Sequence, residues 1–181
     1  KIEDKLFEIN LRGKHNATNF LFAYAVSKEL KINFKKCTKF NFKRIEGRSN
    51  IVTTKKITLL DETYNASPES IKACIDLLVQ YPGKHYVVLG SVKELGAYSL
   101  DFHCELIDYI TNKDVDGLVI LCEFNLEIQI KKKCILSEKM KFLNDLDEIS
   151  KLINSWTVSG DSLLIKGSRY WALERLIPLI N

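Results

Sequence analysis

Short apolar runs, separated by segments with helical spacing, constrain the fold of this chain more than any other sequence feature. The runs predicted to be strands are Ile57–Asp61, Tyr86–Gly90, Gly117–Cys122, Lys133–Leu136 and Ser162–Lys166. Continuous apolar runs of this kind are typical of strands buried on both faces of a parallel sheet. Helices that connect such strands form right-handed crossovers. The sequence therefore predicts the α/β fold class, with a mainly parallel, doubly wound sheet.

Four segments carry apolar residues at a spacing of three or four, which predicts helices. They are Pro68–Gln80, Leu100–Thr111, Asp145–Trp156 and Trp171–Ile180. Ser99 is expected to cap the second of these helices. Between the strands Gly117–Cys122 and Lys133–Leu136 the sequence leaves little room for a long helix.

The amino-terminal residues are expected to form a smaller, separate part. A predicted strand at Phe7–Leu11 ends before Gly13, and Asn16 is predicted to cap a helix that runs to about Leu30. The residues expected on the buried side of this helix are Phe20, Leu21, Tyr24 and Ala25. One strand and one helix are too few to stand alone.

The basic and aromatic segment Phe34–Arg44 has no clear periodicity and is interpreted as a short helical or irregular connector. We place the domain boundary there, which divides the chain into residues 1–43 and 44–181. The chain begins without Met and within a pattern, so we expect a fragment or a processed product.

Composition favours a globular protein and argues against nucleic-acid binding. The chain has 27 basic and 23 acidic residues, a net charge of +4, and 46% hydrophobic residues. Its basic runs are short, lie in separate segments and lack interleaved aromatic residues, unlike a nucleic-acid interface. No apolar run approaches the roughly 20 residues that span a bilayer, and no signal peptide is evident.

The five cysteines contain no Cys-x-x-Cys pair and are interpreted as reduced, mostly buried thiols. Reduced cysteines are typical of cytosolic proteins. We therefore expect a cytoplasmic protein, and we expect it to be a monomer.

The junction between the first long strand and the first long helix has the character of a ligand site. The strand ends at Asp61, Ser67 can cap the helix, and Pro68 suits its first turn. Ligands of open α/β sheets bind at the carboxyl ends of strands.

Five short motifs occur in one order along nearly the whole chain. They are Gly13-Lys14-His15-Asn16 with Asn19, Gly47-Arg48, Asp61 to Pro68, Leu89-Gly90 with Glu94-Leu95-Gly96 and His103, and Lys166-Gly167-Ser168-Arg169. In this order they resemble motifs of the ATP-dependent Mur ligases of peptidoglycan synthesis. The match is to the branch that adds D-alanyl-D-alanine. Three positions depart from that branch, because Glu62 and Ser91 each replace an Asp and Ser67 replaces an Asn.

The resemblance implies a fold and a set of ligands. Residues 44–181 would be the Rossmann-like carboxyl-terminal domain of a Mur ligase, and residues 1–43 the tail of its central ATPase domain. The ligands would be ATP with Mg²⁺, UDP-N-acetylmuramoyl-tripeptide and D-alanyl-D-alanine. No Gly-x-x-x-x-Gly-Lys-Ser/Thr segment is present to hold the phosphates. We therefore expect this chain to be inactive alone, with no catalytic or metal-binding residue of its own.

The resemblance also assigns site residues. Those expected to bind ATP are Asn16, Arg48, Asp61, Tyr64 and Asn65, and those expected to bind substrate are Glu94, Lys166, Ser168 and Arg169. In the family, the asparagine contributes to the adenine pocket, the arginine lies across from the nucleotide, and the strand-end aspartate is a candidate ribose acceptor. The final group would hold either the dipeptide carboxylate or the nucleotide-linked substrate.

Each motif also has a purely structural interpretation. Asn16 is equally typical of a helix cap, Gly47-Arg48 of an exposed turn, and the strand-end acids of solvated side chains. His103 is more simply a capping or packing residue than a metal ligand, since no second His or Cys lies at a metal-ligand spacing from it. Two alternative functions stay open: another amino-acid-adding ligase of the Mur or folylpolyglutamate type, or a non-catalytic nucleotide-binding Rossmann module.

Overall fold

The computed structural model describes residues 2, 5–32, 37–43, 45–54 and 56–180. The chain divides into two compact units, residues 1–44 and 45–181. Within the expected connector Phe34–Arg44, positions 34–36 and 44 lie outside the described residues.

The first unit contains one helix and two short strands. Strand β1 (Glu8–Ile9) pairs in parallel with β2 (Lys39–Phe40), and helix α1 (Lys14–Glu29) lies between them in sequence. The prediction that the connector has no strand was wrong, because β2 falls within it. A cluster of aromatic rings packs in this unit and includes Phe7, Phe20, Tyr24, Phe40 and Phe42.

Asn16 does not cap α1, contrary to the prediction. The helix begins at Lys14, directly after Gly13, which adopts a φ of 95°. The Gly13 carbonyl accepts the Asn16 amide hydrogen at 3.1 Å. Asn16 therefore lies in the first turn, where its side-chain amide donates to the Arg12 carbonyl at 2.7 Å. The predicted buried side of α1 was also only half right, since Leu21 and Ala25 are exposed.

The second unit is built on a six-stranded sheet in the order β3-β4-β8-β5-β6-β7. Its strands are β3 (Asn50–Thr53), β4 (Thr58–Glu62), β5 (His85–Gly90), β6 (Gly117–Leu121), β7 (Met140–Phe142) and β8 (Ser162–Lys166). Only the β3–β4 pair is antiparallel, and β3 was not predicted from the sequence. The other pairs are parallel, which confirms the predicted fold class.

Four α-helices cover the two faces of this sheet. They are α2 (Pro68–Leu78), α3 (Ser99–Thr111), α4 (Phe124–Lys133) and α5 (Leu146–Trp156). Helices α2, α3 and α4 pack with alternate strand residues such as Leu60, Val87 and Leu164. Helix α5 and the carboxyl-terminal segment pack with the intervening residues, such as Leu59 and Leu163, on the opposite face. The sheet is therefore doubly wound.

Two predicted elements were wrong. Lys133–Leu136 is not a strand, because Lys133 is the last residue of α4 and the next strand is β7. Three lysines in the last turn of α4 stabilise the carboxyl terminus of that helix. The last helix is replaced by two 3₁₀ segments, Arg169–Trp171 and Leu173–Leu179. Ala172 with a φ of 47° separates them, and Pro178 lacks the amide hydrogen that an α-helix needs.

Ser99 does not cap α3 as predicted. A 3₁₀ turn, Gly96–Tyr98, runs directly into the helix, so that Tyr98 occupies the cap position and no side chain caps the helix. At the start of α2 the prediction was right, because the Ser67 hydroxyl accepts the Ser70 amide hydrogen at 3.3 Å.

The expectation that all cysteines are reduced was wrong for one pair. Cys104 on α3 and Cys134 just after α4 form a disulfide, with Cα atoms 6.0 Å apart. The two helices pack side by side, which brings residues 30 positions apart in sequence within disulfide reach. Cys74 and Cys122 are buried free thiols, and Cys37 is an exposed one. No helix in the described part of the chain is long and apolar enough to cross a membrane.

Candidate nucleotide and substrate site

Polar residues gather where the parallel strands of the second unit end. Glu62 at the end of β4 pairs in register with Lys166 at the end of β8, which in turn pairs with Leu89 of β5. Ser91 follows β5 directly, and its amide donates to the Leu121 carbonyl of β6 at 2.8 Å. The carboxyl ends of four strands, β4, β8, β5 and β6, therefore lie at one edge of the sheet, because these strands are parallel neighbours.

The Asp61 carboxylate organises the turn after β4. One of its oxygens accepts from the Thr63 hydroxyl at 2.7 Å and the Thr63 amide at 3.2 Å. The other lies 3.3 Å from the Gly47 amide and 3.4 Å from the Asn50 side-chain amide. Both oxygens of this buried side chain thus have partners within the protein.

Gly47 is held close to the same turn. Its carbonyl accepts the Tyr64 amide hydrogen at 2.9 Å. Its φ is 71°, and a Cβ atom there would lie 2.6 Å from the Tyr64 nitrogen, so only glycine fits. This close approach brings Arg48 beside the Tyr64 side chain.

Two arginines face the ring of Tyr64. The Cζ atom of Arg48 lies 4.2 Å from the ring centroid, and that of Arg169 lies 5.1 Å from it. Both distances are within the range of cation–π contacts. All three side chains are exposed, and no carboxylate of the described residues forms an ion pair with either guanidinium. We call Arg48, Tyr64 and Arg169 the tyrosine clamp, and its charge suits an anionic ligand.

Lys166 is turned into the protein. Its side chain is 3% exposed, and its ammonium donates to the Asn65 carbonyl at 3.0 Å. The ammonium also lies 3.9 Å from the Glu62 carboxylate, which accepts the Ser49 amide hydrogen at 3.1 Å. Burial raises the pKa of Glu62, while the charge of Lys166 opposes that shift. Burial likewise raises the pKa of the neighbouring Cys74 thiol to about 12.

The loop after β5 is held by His103 of α3. The Val92 amide can only donate, so the His103 Nε2 atom 3.0 Å away is its acceptor. The proton of the neutral ring is then on Nδ1, which donates to the Ser99 carbonyl at 2.6 Å. Burial lowers the pKa of His103 and favours this neutral form. His103 is thus a packing and anchoring residue, as its simpler interpretation had it.

Sequence reasoning missed two residues beside this loop. Glu123, directly after β6, accepts from the Ser91 hydroxyl at 3.2 Å and pairs with Lys93. The Trp171 indole donates to the Ser91 carbonyl at 3.0 Å. The position of Glu123 immediately after an apolar strand was the available signal, because it places a carboxylate at the ligand-binding edge of the sheet.

The predicted site residues fall into separate groups. Arg48, Tyr64 and Arg169 meet, and Lys166 reaches Asn65. Ser168, which lies between Lys166 and Arg169 in sequence, is buried. Glu94 is exposed on the loop after β5, with a φ of 66°, and Asn16 belongs to the other unit. Among the described residues, no group of three His, Cys, Asp or Glu side chains could hold a metal ion.

The model of the Mur ligase, glutamate ligase domain matches residues 47–169, which is more than half of the chain. The chain belongs to the Mur ligase family. This confirms the resemblance inferred from the five motifs. The match spans β3 to β8 and includes the tyrosine clamp, so the strand-end site lies within the part shared with the family.

Individual relatives carry more specific names. The UDP-N-acetylmuramoyl-tripeptide–D-alanyl-D-alanine ligase of Synechocystis sp. is 32% identical over 170 residues, which cover 92% of this chain and 37% of the relative. The ligase of the same name from Treponema pallidum is 29% identical, covering 99% of this chain and 40% of the relative. The chain thus spans about two fifths of the length of the curated relatives it matches.

Solved Mur ligases share the fold. The MurF ligase of Thermotoga maritima in complex with ADP superposes with a TM-score of 0.79 at 27% identity, covering 96% of this chain and 39% of that one. The MurF of Acinetobacter baumannii gives a TM-score of 0.75 at 25% identity, with coverage of 92% and 37%.

Proposed function

We propose that this chain is the carboxyl-terminal part of an ATP-dependent ligase that joins D-alanyl-D-alanine to UDP-N-acetylmuramoyl-tripeptide. The observation that carries the proposal is the tyrosine clamp, which presents two guanidinium groups, neither of them paired with a carboxylate of the described residues, at the ligand-binding edge of the sheet. The names of the most similar relatives support the choice of substrates, and the ADP in the Thermotoga structure supports the nucleotide.

The clamp residues fit a nucleotide. Arg48 and Arg169 would fork towards phosphate oxygens, for which a planar guanidinium is better suited than an ammonium. The Tyr64 ring would keep both cations in place. The exposed Asn65 next to it is available to the same ligand. Asp61 stays our candidate ribose acceptor, but its two oxygens already accept four hydrogen bonds from Thr63, Gly47 and Asn50, so a ribose hydroxyl would have to replace one of these donors.

ATP, when bound, would supply the phosphoryl group that activates the tripeptide carboxylate for attack by the dipeptide amine. The phosphate-binding loop and the contacts to Mg²⁺ would come from the central domain of the complete ligase. The part described here would bind the adenosine side and the acceptor, orient them, and exclude water as it closes over the site. Lys166 would act by fixing the Asn65 turn and Ser168 by contacting the substrate, whereas Arg169, which the resemblance assigns to the substrate, would reach the nucleotide from its place beside Tyr64.

We further propose that residues 1–43 are the tail of that central domain. Helix α1 leaves several large apolar side chains exposed, which the rest of such a domain would cover: Leu21, Phe22, Val26 and Leu30. The complete protein would be cytoplasmic, where its nucleotide-linked substrate is made, and monomeric.

The proposal is tested by phosphate release from the complete ligase with each candidate amine. D-alanyl-D-alanine should support release and meso-diaminopimelate should not. Faster release with diaminopimelate would overturn the branch assignment. In the same assay, Arg48→Ala should raise the KM for ATP, whereas Arg175→Ala, which removes an exposed arginine without a contact to Tyr64, should leave it unchanged.

A further inference from the structure

A cavity separates the loop after β5 from the first turns of α4. Its volume is about 340 Å³, and its lining includes Lys93, Glu94, Glu123, Asn125 and Gln129. Known small-molecule pockets begin at about 300 Å³, so the cavity suits a small ligand. The substrate role expected for Glu94 does not explain why the other charged and amide side chains line the same cavity.

Glu123 is the best-placed acceptor in this cavity. One carboxylate oxygen accepts from the Ser91 hydroxyl at 3.2 Å, and the other pairs with Lys93. An ionised carboxylate offers about four acceptor positions, so these two contacts leave others free. The Glu123 side chain is 41% exposed, which makes those positions accessible to a ligand.

The charge of the cavity favours a ligand with an ammonium group. Lys93 and Glu123 neutralise one another, and Glu94 then leaves a net negative charge. Lys93 is held in place from its other side, because its ammonium lies 4.0 Å from the centroid of the Tyr170 ring. A zwitterion would find an acceptor in Glu123 and donors in Lys93 and the amide side chains.

The Glu123 carboxylate lies next to Ser91. At the position of Ser91 the dipeptide-adding branch carries an Asp. The Ser91 hydroxyl touches Glu123 directly, so the negative charge is present at this place but comes from the end of the next strand, β6.

We infer that Glu123 binds the ammonium group of D-alanyl-D-alanine in this cavity and so selects the acceptor. The inference rests on the proposed function. Ser91 and Lys93 are positioning residues, because each fixes one oxygen of the Glu123 carboxylate.

The test uses the complete ligase and compares Glu123→Gln with Glu127→Gln. Glu127 lies on α4, four residues after Glu123, but pairs with Lys131 and is not among the residues that line the cavity, so it is a matched control. Glu123→Gln should raise the KM for D-alanyl-D-alanine about tenfold and change kcat less than twofold, whereas Glu127→Gln should change neither. Ser91→Asp combined with Glu123→Gln should return the KM to within about threefold of the wild type.

A ligand variant separates charge recognition from a structural role. The dipeptide analogue that carries a hydroxyl in place of the ammonium should inhibit the wild type and Glu123→Gln with the same Ki. A Ki that rises with the KM would mean that Glu123 only shapes the cavity, and would overturn the inference even if the double variant does not fold. An unchanged KM in Glu123→Gln would also overturn it, while phosphate release by the wild type keeps the proposed function. Absence of dipeptide-dependent release in the wild type would overturn both.

Discussion

The ammonium of Lys166 donates to the carbonyl of Asn65 at 3.0 Å, across 101 residues of sequence. The contact joins the end of β8 to the turn after β4 and lies beside the buried Glu62 carboxylate. A residue that the sequence presents as a ligand for anions therefore also holds the turn that carries Tyr64.

Lys166→Ala should lower the free energy of unfolding by about 3 kcal/mol, because it leaves the buried Glu62 without its counter-charge. Urea unfolding of the 181-residue chain at pH 7 measures the loss. Lys151→Ala, which removes an exposed lysine from α5, should change stability by no more than about 0.5 kcal/mol. A loss below about 1 kcal/mol for Lys166→Ala would show that the contact is dispensable for the fold.

Stability should fall as the pH is lowered through the titration of His103. Its pKa is lowered by burial from the ordinary value of 6.5, so below pH 6.5 the unfolded chain binds a proton that the folded chain does not. The stabilising contribution is therefore complete above pH 6.5 and is lost as the pH falls towards the folded pKa. The difference in unfolding free energy between the wild type and His103→Gln should shrink from pH 7.5 to pH 5. A difference that stays constant over this range would show that folding does not lower the pKa of His103.

Reduction should destabilise the second unit. The Cys104–Cys134 disulfide closes a loop of 30 residues, for which chain entropy gives a stabilisation of about 3.6 kcal/mol. The melting temperature of the wild type should drop on addition of a phosphine reductant. The double variant Cys104→Ser/Cys134→Ser should melt at the reduced temperature and ignore the reductant. A wild type that is equally insensitive would mean that the two thiols stay unpaired in solution.

The two arginines of the tyrosine clamp should act together in nucleotide binding. Arg48→Ala and Arg169→Ala should each weaken ATP binding by the complete ligase, by about 1 to 3 kcal/mol for a lost charged hydrogen bond. Since both guanidinium groups contact Tyr64, the effects in the double variant should deviate from additivity by more than about 0.5 kcal/mol. Calorimetric titration of all three variants gives the coupling, and strict additivity would indicate two independent sites.

The sequence was most informative where apolar runs and helix signals agree. β8 begins and ends as predicted, and α2 starts at the predicted Ser67-Pro68 junction. It was least informative where contacts with distant residues, rather than local sequence preferences, determine the structure. β3 is half-buried and lacks a continuous apolar run, because its strand lies at the edge of the sheet. The apolar residues of Cys134–Leu136 indicated a strand, but Cys134 is tied to α3 instead.

The site was predictable as a set of strand ends but not as a set of contacts. The motifs named Arg48, Tyr64 and Arg169 as candidate ligand residues without revealing that the two arginines share one ring. The contact depends on the Gly47 turn, whose geometry involves a backbone approach that periodicity does not encode. Glu123 was missed because it belongs to no motif, and only the neighbouring positions of β5 and β6 bring it to Ser91.

The place of β8 in the sheet determines when this protein can fold. Of the six strands of this sheet, β8 is the last to be synthesised, yet it lies between β4 and β5 and is hydrogen-bonded to both. A nascent chain that ends before residue 162 has the two halves of the sheet without the strand that joins them. Pairings such as Leu60 with Leu164 close loops of about a hundred residues, which slows folding. Synthesis must therefore pass residue 166 before the strand ends that form the site come together.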